Sequence, residues 1–366
     1  MASRSSPRRL MWVVNHRTLL PAEVPILRAL GWEVFIPKVT PDHDPTFRSA
    51  FVTHDYDGTL GLPRTALEVL NRHDFYQRPW SPTVAGLIAE HFQVYVSQLS
   101  YYAAGLAEAA RKFPGRIVVR VFGREAPRTY TELATTENYP SMLADLAAIG
   151  ERFVFGQGYS NLAEIESPVL QRRAHTITVP LPASFFDHRD QWRGGGQHAV
   201  FLCPTIEKGG YYETVYEGIK RNFGDLPHVI FGRQSRTIAD PAVLPYLTDD
   251  ELVELYRTAP VFCYPQAEPR HIHYSPLEAV VVGTPTLYLR GALMDMLLGG
   301  ADLPAACVDT AEMAAKARRL LGGDAELAGA IRATQGRVLG AFDPGLARRQ
   351  WAAALADTAP RDAARA

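Results

Sequence analysis

No apolar run in this 366-residue chain approaches the roughly 20 residues that a membrane-spanning helix needs. Cysteine is scarce. Cys203, Cys263 and Cys307 make an odd set of 3 with no CxxC pair, which excludes a disulfide framework and a thiolate zinc site. Neither charge is in excess: Lys+Arg is 38, Asp+Glu is 39 and the net charge is −1. That balance lacks the basic footprint of a protein that lives on nucleic acid, so no nucleic-acid partner is expected. Behind the basic start Met1–Arg9, the apolar stretch Leu10–Val14 is too short for the core of a signal peptide. A reduced, cytoplasmic location is the expectation.

Several catalytic signatures are missing as well. There is no Walker A lysine loop, no HExxH and no GxSxG elbow, which disfavours a P-loop kinase, a zincin and an α/β-hydrolase. Gly156-Gln-Gly158 follows an expected strand, but Asn161 stands where a dinucleotide fingerprint needs its third glycine. An ordinary strand-to-helix turn accounts for it.

What is present is a globular composition, 47% hydrophobic and 21% charged, at a length that favours two domains. Short apolar runs alternate with helical patterns, the signature of βα units and parallel sheets. In the first half the runs Leu10–Val14, Trp32–Pro37, Val94–Ser97, Arg116–Phe122, Arg152–Gly156 and His175–Val179 predict strands. In the second half Ala199–Cys203, His228–Gly232, Val261–Tyr264 and Thr286–Leu289 do so. Between the halves, Arg193-Gly-Gly-Gly196 reads as a flexible joint. The expected division is an N-terminal Rossmann-like domain over 1–185 and a second over 197–340. A C-terminal helix over 341–366 would cross back to the first.

Polar clusters supply the candidate chemistry. Asp55-Tyr-Asp57 could share a hard cation, although an Asp-rich turn ending at Gly58 explains it better. Arg270, His271 and His273 form a basic knot suited to an anion, because the loop leads into a helix start. Ser275 is a good N-cap and Pro276 suits the first helical position. Glu278 would then occupy the first turn, with its helix opening at the carboxyl edge of the sheet, where open α/β folds bind ligands. His16, after the first strand, is the candidate base for an acceptor hydroxyl.

The order strand, Pro265, polar loop, Pro276-Leu-Glu-Ala279, apolar residues, Gly283-Thr-Pro285 resembles the donor site of retaining glycosyltransferases with the GT-B fold, the Glu-x7-Glu type of family 4. The helix pattern Leu247–Val261 and the segment Phe201-Leu-Cys-Pro-Thr-Ile-Glu207-Lys208-Gly209 are similar to neighbouring parts of that family's second domain, as is His228–Gly232. The resemblance covers about 199–289. It implies an α/β, GT-B-like fold of two Rossmann-like domains with a central cleft, closed by movement at Arg193–Gly196. It also implies a polysaccharide-type transferase using a nucleotide-sugar and a glycan or small-molecule acceptor, with no cofactor and no metal expected. Peripheral membrane association would be compatible with it, and the oligomeric state is left open. By the same resemblance Glu278 would bind ribose, Lys208 and Gly209 the diphosphate, and Leu277 and Ser275 would line the donor site.

The departures are specific. Arg270 stands where the family has its first glutamate, with Glu268 two residues early, and Cys203 stands where it has an arginine. The family histidine after the fourth strand is missing from Val119–Arg124. Arg233 could replace the missing arginine, and Arg270 would favour a donor bearing a carboxylate. A pairing of Arg270 with Glu268 or Asp295 is the plainer reading of that residue. A sugar-nucleotide epimerase and a catalytically inactive scaffold subunit are the alternatives.

Overall fold

The computed structural model describes residues 7–14, 16, 18–39, 60–99, 103–136 and 138–356. The Asp55-Tyr-Asp57 pair lies outside them. The chain divides into two units, Met1–Pro182 with Phe342–Ala366, and Ala183–Ala341. In chain order the first unit contains β1 (Arg9–Trp12), α1 (Leu19–Ala29), β2 (Glu33–Phe35), α2 (Arg64–Arg72), α3 (Pro82–His91), β3 (Val94–Ser97), α4 (Ala103–Lys112) and β4 (Arg116–Val121). It continues through α5 (Tyr130–Leu133), α6 (Met142–Ile149), β5 (Phe153–Gln157), α7 (Pro168–Gln171) and β6 (Ala174–Thr176). The second unit holds β7 (Ala199–Leu202), α8 (Tyr211–Phe223), β8 (His228–Phe231), α9 (Asp249–Thr258), β9 (Phe262–Tyr264) and α10 (Tyr274–Val282). Then come β10 (Thr286–Leu289), α11 (Leu293–Leu297), β11 (Ala306–Cys307), α12 (Thr310–Leu321) and α13 (Ala325–Gln335). The last helix, α14 (Pro344–Ala354), belongs to the first unit.

Every ladder is parallel. The first sheet has 6 strands in the order β2-β1-β3-β4-β5-β6, and the second has 5 in the order β11-β10-β9-β7-β8. Most strands are buried throughout, as parallel sheets covered by helices on both faces require. Helix starts follow their sequence signals. Ser81 accepts from the Val84 N–H ahead of Pro82, Asp343 does the same for Leu346 ahead of Pro344, and Thr248 forms a capping box with Glu251. The region 41–82, read as a long loop, contributes α2 and the start of α3 within its described part.

The glycine-rich joint is corrected. Residues 190–196 are strapped onto the second unit by backbone bonds. Asp190 and Trp192 donate to Val281 and Val282, Arg193 and Gly194 to Arg257, and Gly196 to Thr258. A Cβ on Gly196 would stand 2.7 Å from the Thr258 carbonyl, so the glycine permits close packing, not hinge freedom. The unit boundaries fall instead at 182/183 and 341/342.

The first unit is organised around a charge in its core. Arg120 on β4 and Glu23 on α1 are both wholly buried and pair through two bonds of 3.0 and 2.8 Å. Arg120 also donates to the Gly156 carbonyl at 2.7 Å, and the Trp351 indole of α14 donates to Glu23 at 3.0 Å. Burial raises the Glu23 carboxyl above its ordinary value, opposed by the Arg120 charge and by these hydrogen bonds. Removing one partner strands the other in the core. Arg120→Met should therefore destabilise the unit by about 3–5 kcal/mol, read by urea unfolding, and adding Glu23→Leu should restore most of the loss. A single-variant loss below about 1 kcal/mol would contradict this account.

Candidate functional site

The candidate site lies at the carboxyl edge of the second sheet, where the loops after β7, β8 and β9 follow adjacent strands. The first two loops are stitched together. Cys203 N–H donates to the Phe231 carbonyl and Thr205 N–H to the Arg233 carbonyl. The Gln234 amide accepts from Ile206 N–H at 2.8 Å and donates to the Cys203 and Gly232 carbonyls. Glu207 accepts from the Ser235 N–H and hydroxyl. Burial pushes that carboxyl up, but these bonds hold it below its ordinary value. Gly232 has φ +135°, and a Cβ there would meet the Pro204 nitrogen at 2.7 Å. Only glycine lets the two loops approach this closely.

Lys208 projects from this platform exposed, just before Gly209 and Gly210, whose φ values of 72° and 67° turn the chain into α8. Arg233 is half-buried on the neighbouring loop. Its partial burial lowers the guanidinium, which stays cationic. Cys203, at the position of the resembled family's arginine, is buried and donates its thiol to the Tyr212 carbonyl at 3.2 Å.

The third loop leads into α10. Its first helical residue is Tyr274 and its cap residue is His273, so Ser275 lies inside the first turn and not at the N-cap. The His273 side chain makes no cap bond, and the helix's own first turn holds no acid. The first N–H groups of any helix lack intrahelical acceptors, so such a start favours an anion. Leu277 and Glu278 are buried, and the Glu278 carboxylate accepts from the Tyr256 hydroxyl of α9 at 3.2 Å. Arg270 and His271 are half-buried, and the His271 ring packs edge-on against His273 at 4.7 Å. Asp295 accepts from Gly291 N–H at 3.0 Å.

His273 brings two helix starts together. Its imidazole lies 3.0 Å from the hydroxyl of Tyr212, in the first turn of α8, and 2.9 Å from that of Tyr264, at the end of β9. Neither tyrosine was identified from the sequence. A tyrosine two residues after a glycine pair, and another closing a strand before Pro265, are the signals that could have found them. Two cavities lie on this unit. One, of about 60 Å³, is lined by Val280, Gly283 and Arg332, and the other, of about 250 Å³, by α8 and residues 265–268. Neither gathers Glu278, Lys208 and Arg233.

In the first unit His16 is not placed as a base. Its Nδ1 accepts from the N–H groups of Thr18 and Leu19 at 3.2 and 3.3 Å, at the entry to α1. A neutral imidazole that accepts at Nδ1 carries its hydrogen on Nε2 and donates there. Burial also lowers the group to about 4, which makes it a weak proton acceptor.

No protein-family model and no curated protein match the chain. Its fold is shared with solved structures over almost the whole length. A glycosyltransferase from Rickettsia africae ESF-5 is 11% identical, with a TM-score of 0.56 over 96% of this chain and 99% of that one. Sucrose-phosphate synthase from Thermosynechococcus elongatus is 14% identical, with a TM-score of 0.57 over 95% and 98%. OtsA is 11% identical, with a TM-score of 0.59 over 95% and 99%. The chain therefore has the α/β, GT-B fold.

The His16 contacts set a pH dependence. The folded group is lowered to about 4 from 6.5, so the unfolded chain binds the extra proton between those values. Stability should be complete above about pH 6.5 and decline towards pH 4. His16→Asn, whose side-chain oxygen can accept from the same amides, should remove that decline. Melting curves from pH 4 to 8 test this, and parallel profiles for the two proteins would refute it.

Proposed function

We propose that the protein is a glycosyltransferase that moves a sugar from a nucleotide-sugar donor to a hydroxyl of a glycan or small-molecule acceptor, without a metal ion. The observation that carries this reading is the start of α10, whose own first turn holds no acid, with buried Glu278 in the same helix, bonded through His273 to the start of α8. The start of α10 at the sheet edge favours the charge that develops on a leaving nucleoside diphosphate. Lys208 and Arg233 would add formal positive charge from the stitched loops, and Gly209 would let the backbone approach the phosphates. Glu278, oriented by Tyr256, would accept from the ribose hydroxyls. Arg270, with His271, would face the donor sugar and hold a carboxylate on it.

Incubation with a panel of nucleotide-sugars tests the reading. Slow hydrolysis of one donor, quickened by an acceptor alcohol, is the expected result, and interconversion of two donors would mean an epimerase instead. Glu278→Ala should weaken binding of the active donor by about tenfold to a hundredfold with the melting temperature nearly unchanged, since each decade is about 1.4 kcal/mol. Arg270→Ala discriminates donor class. A loss of about tenfold or more on a uronic-acid donor, with little change on the neutral sugar, is expected. Equal losses on both donors would make Arg270 structural.

A further inference from the structure

Gln266, in the loop that follows β9, lines the cavity of about 250 Å³ along α8. Its side chain is 2% exposed and only half employed. Nε2 donates to the Leu202 carbonyl at 3.3 Å, whereas Oε1 is shielded from solvent and accepts from no group among the described residues. The carbonyl fixes the orientation of the amide, because a half-turn would set oxygen against oxygen. A buried acceptor without a donor is costly, and the surrounding protein supplies none. The other walls are mostly apolar, with Val215, Ile219 and Phe223 of α8 and Pro265 among them. Gly218 lines the same cavity from within the helix. Glycine in a helix interior weakens it relative to alanine, yet nothing local demands it here. Its φ lies outside the left-handed region, and a Cβ there would meet nothing within 4 Å. The glycine keeps the cavity open.

We propose that this cavity binds a small, largely apolar alcohol, whose hydroxyl donates to Gln266 Oε1 while its hydrocarbon part rests on α8. The size permits it, since an apolar cavity of about 150 Å³ already accommodates a benzene ring. The polarity selects it. A hydroxyl has a single hydrogen to place, and one acceptor is open. A carboxylate or phosphate only accepts and cannot use Oε1, and an ammonium brings three hydrogens to that one acceptor. The walls include none of Glu278, Lys208 and Arg233, so the site is independent of the nucleotide-sugar reading.

The test is methyl-resolved NMR of the full chain, with Val215 and Ile219 as reporters, titrated with p-cresol, with benzyl alcohol and with the methyl ether of each. Both alcohols should shift the reporter signals and bind about tenfold more tightly than their ethers, which cannot donate. Gln266→Met, close in shape but without the acceptor, should bring alcohol and ether to equal affinity. Gly218→Leu fills the space from the helix side, so it should abolish binding of all four probes with a melting temperature no lower than wild type. Reporter signals that stay still up to the solubility limit of both alcohols would overturn the inference. So would equal affinities of alcohol and ether for the wild type, a preference that persists in Gln266→Met, or unchanged binding in Gly218→Leu. Should Gly218→Leu fail to fold, the Gln266→Met comparison decides alone.

Discussion

A guanidinium with no access to water dictates how the first unit is put together. Arg120 sits on β4, a central strand, and its charge can persist there only with partners on several sides. Glu23 reaches it from α1, the Gly156 carbonyl from β5, and the Trp351 ring lies 5.4 Å from its guanidinium carbon. Those partners come from distant parts of the sequence, so the ion pair closes only when the strands are in register and the C-terminal helix has returned. Further bonds confirm that return. Gln350 accepts from Thr178 N–H at 2.6 Å, and Arg116 donates to the Ala354 carbonyl at 2.5 Å. A replacement of the charged pair by apolar side chains would keep the burial but lose the directional requirement that both ends of the unit meet at one point.

Parallel topology then determines where chemistry can occur. When all strands of a sheet run one way, the helices that follow them start at a common edge, and their unpaired N–H groups accumulate there. The second unit refines this default in two ways. Its β7 and β8 loops are cross-linked by Gln234 and Glu207 into a platform, and its α8 and α10 starts are bridged by His273. Glu213 supplies an acid in the first turn of α8, whereas α10 has none. The N-terminal field of α8 is thus partly offset by its own first turn, and that of α10 is not.

These features differ in how far the sequence discloses them. Alternating apolar runs predict the strands to within a few residues because buried parallel strands must be apolar almost throughout, and Thr248, Glu251 and Gly283 mark helix ends by local chemistry alone. The two-residue strand β11 is invisible, since its pairing depends on a neighbour already in place. Arg193–Gly196 misleads for a related reason. Glycines signal freedom locally, but here they serve a close approach to Thr258 that only the tertiary packing creates. Among the candidate site residues, Glu278 is locatable through its long motif. The Tyr264–His273–Tyr212 chain joins residues 61 positions apart and has no local signature.

The departures from the resembled donor-site pattern become intelligible in the same terms. Cys203 lies wholly inside the unit, bonded to the backbone of α8, and its thiol is pushed up to about 12 by burial. The thiol sits against the first turn of α8 through the Tyr212 carbonyl, where the resembled pattern has a long cation. The next loop offers the nearest substitute in chain order after β8, half-buried Arg233, whose carbonyl is already engaged by Thr205. Under the proposed function, moving the charge from the β7 loop to the β8 loop would keep it on the same stitched surface while freeing the core of a buried cation. Arg270 follows a parallel logic, since a guanidinium cannot reproduce the acceptor role of a glutamate. Under the proposed function, a neutral donor sugar would lose an acceptor there, and an acidic one would gain a partner.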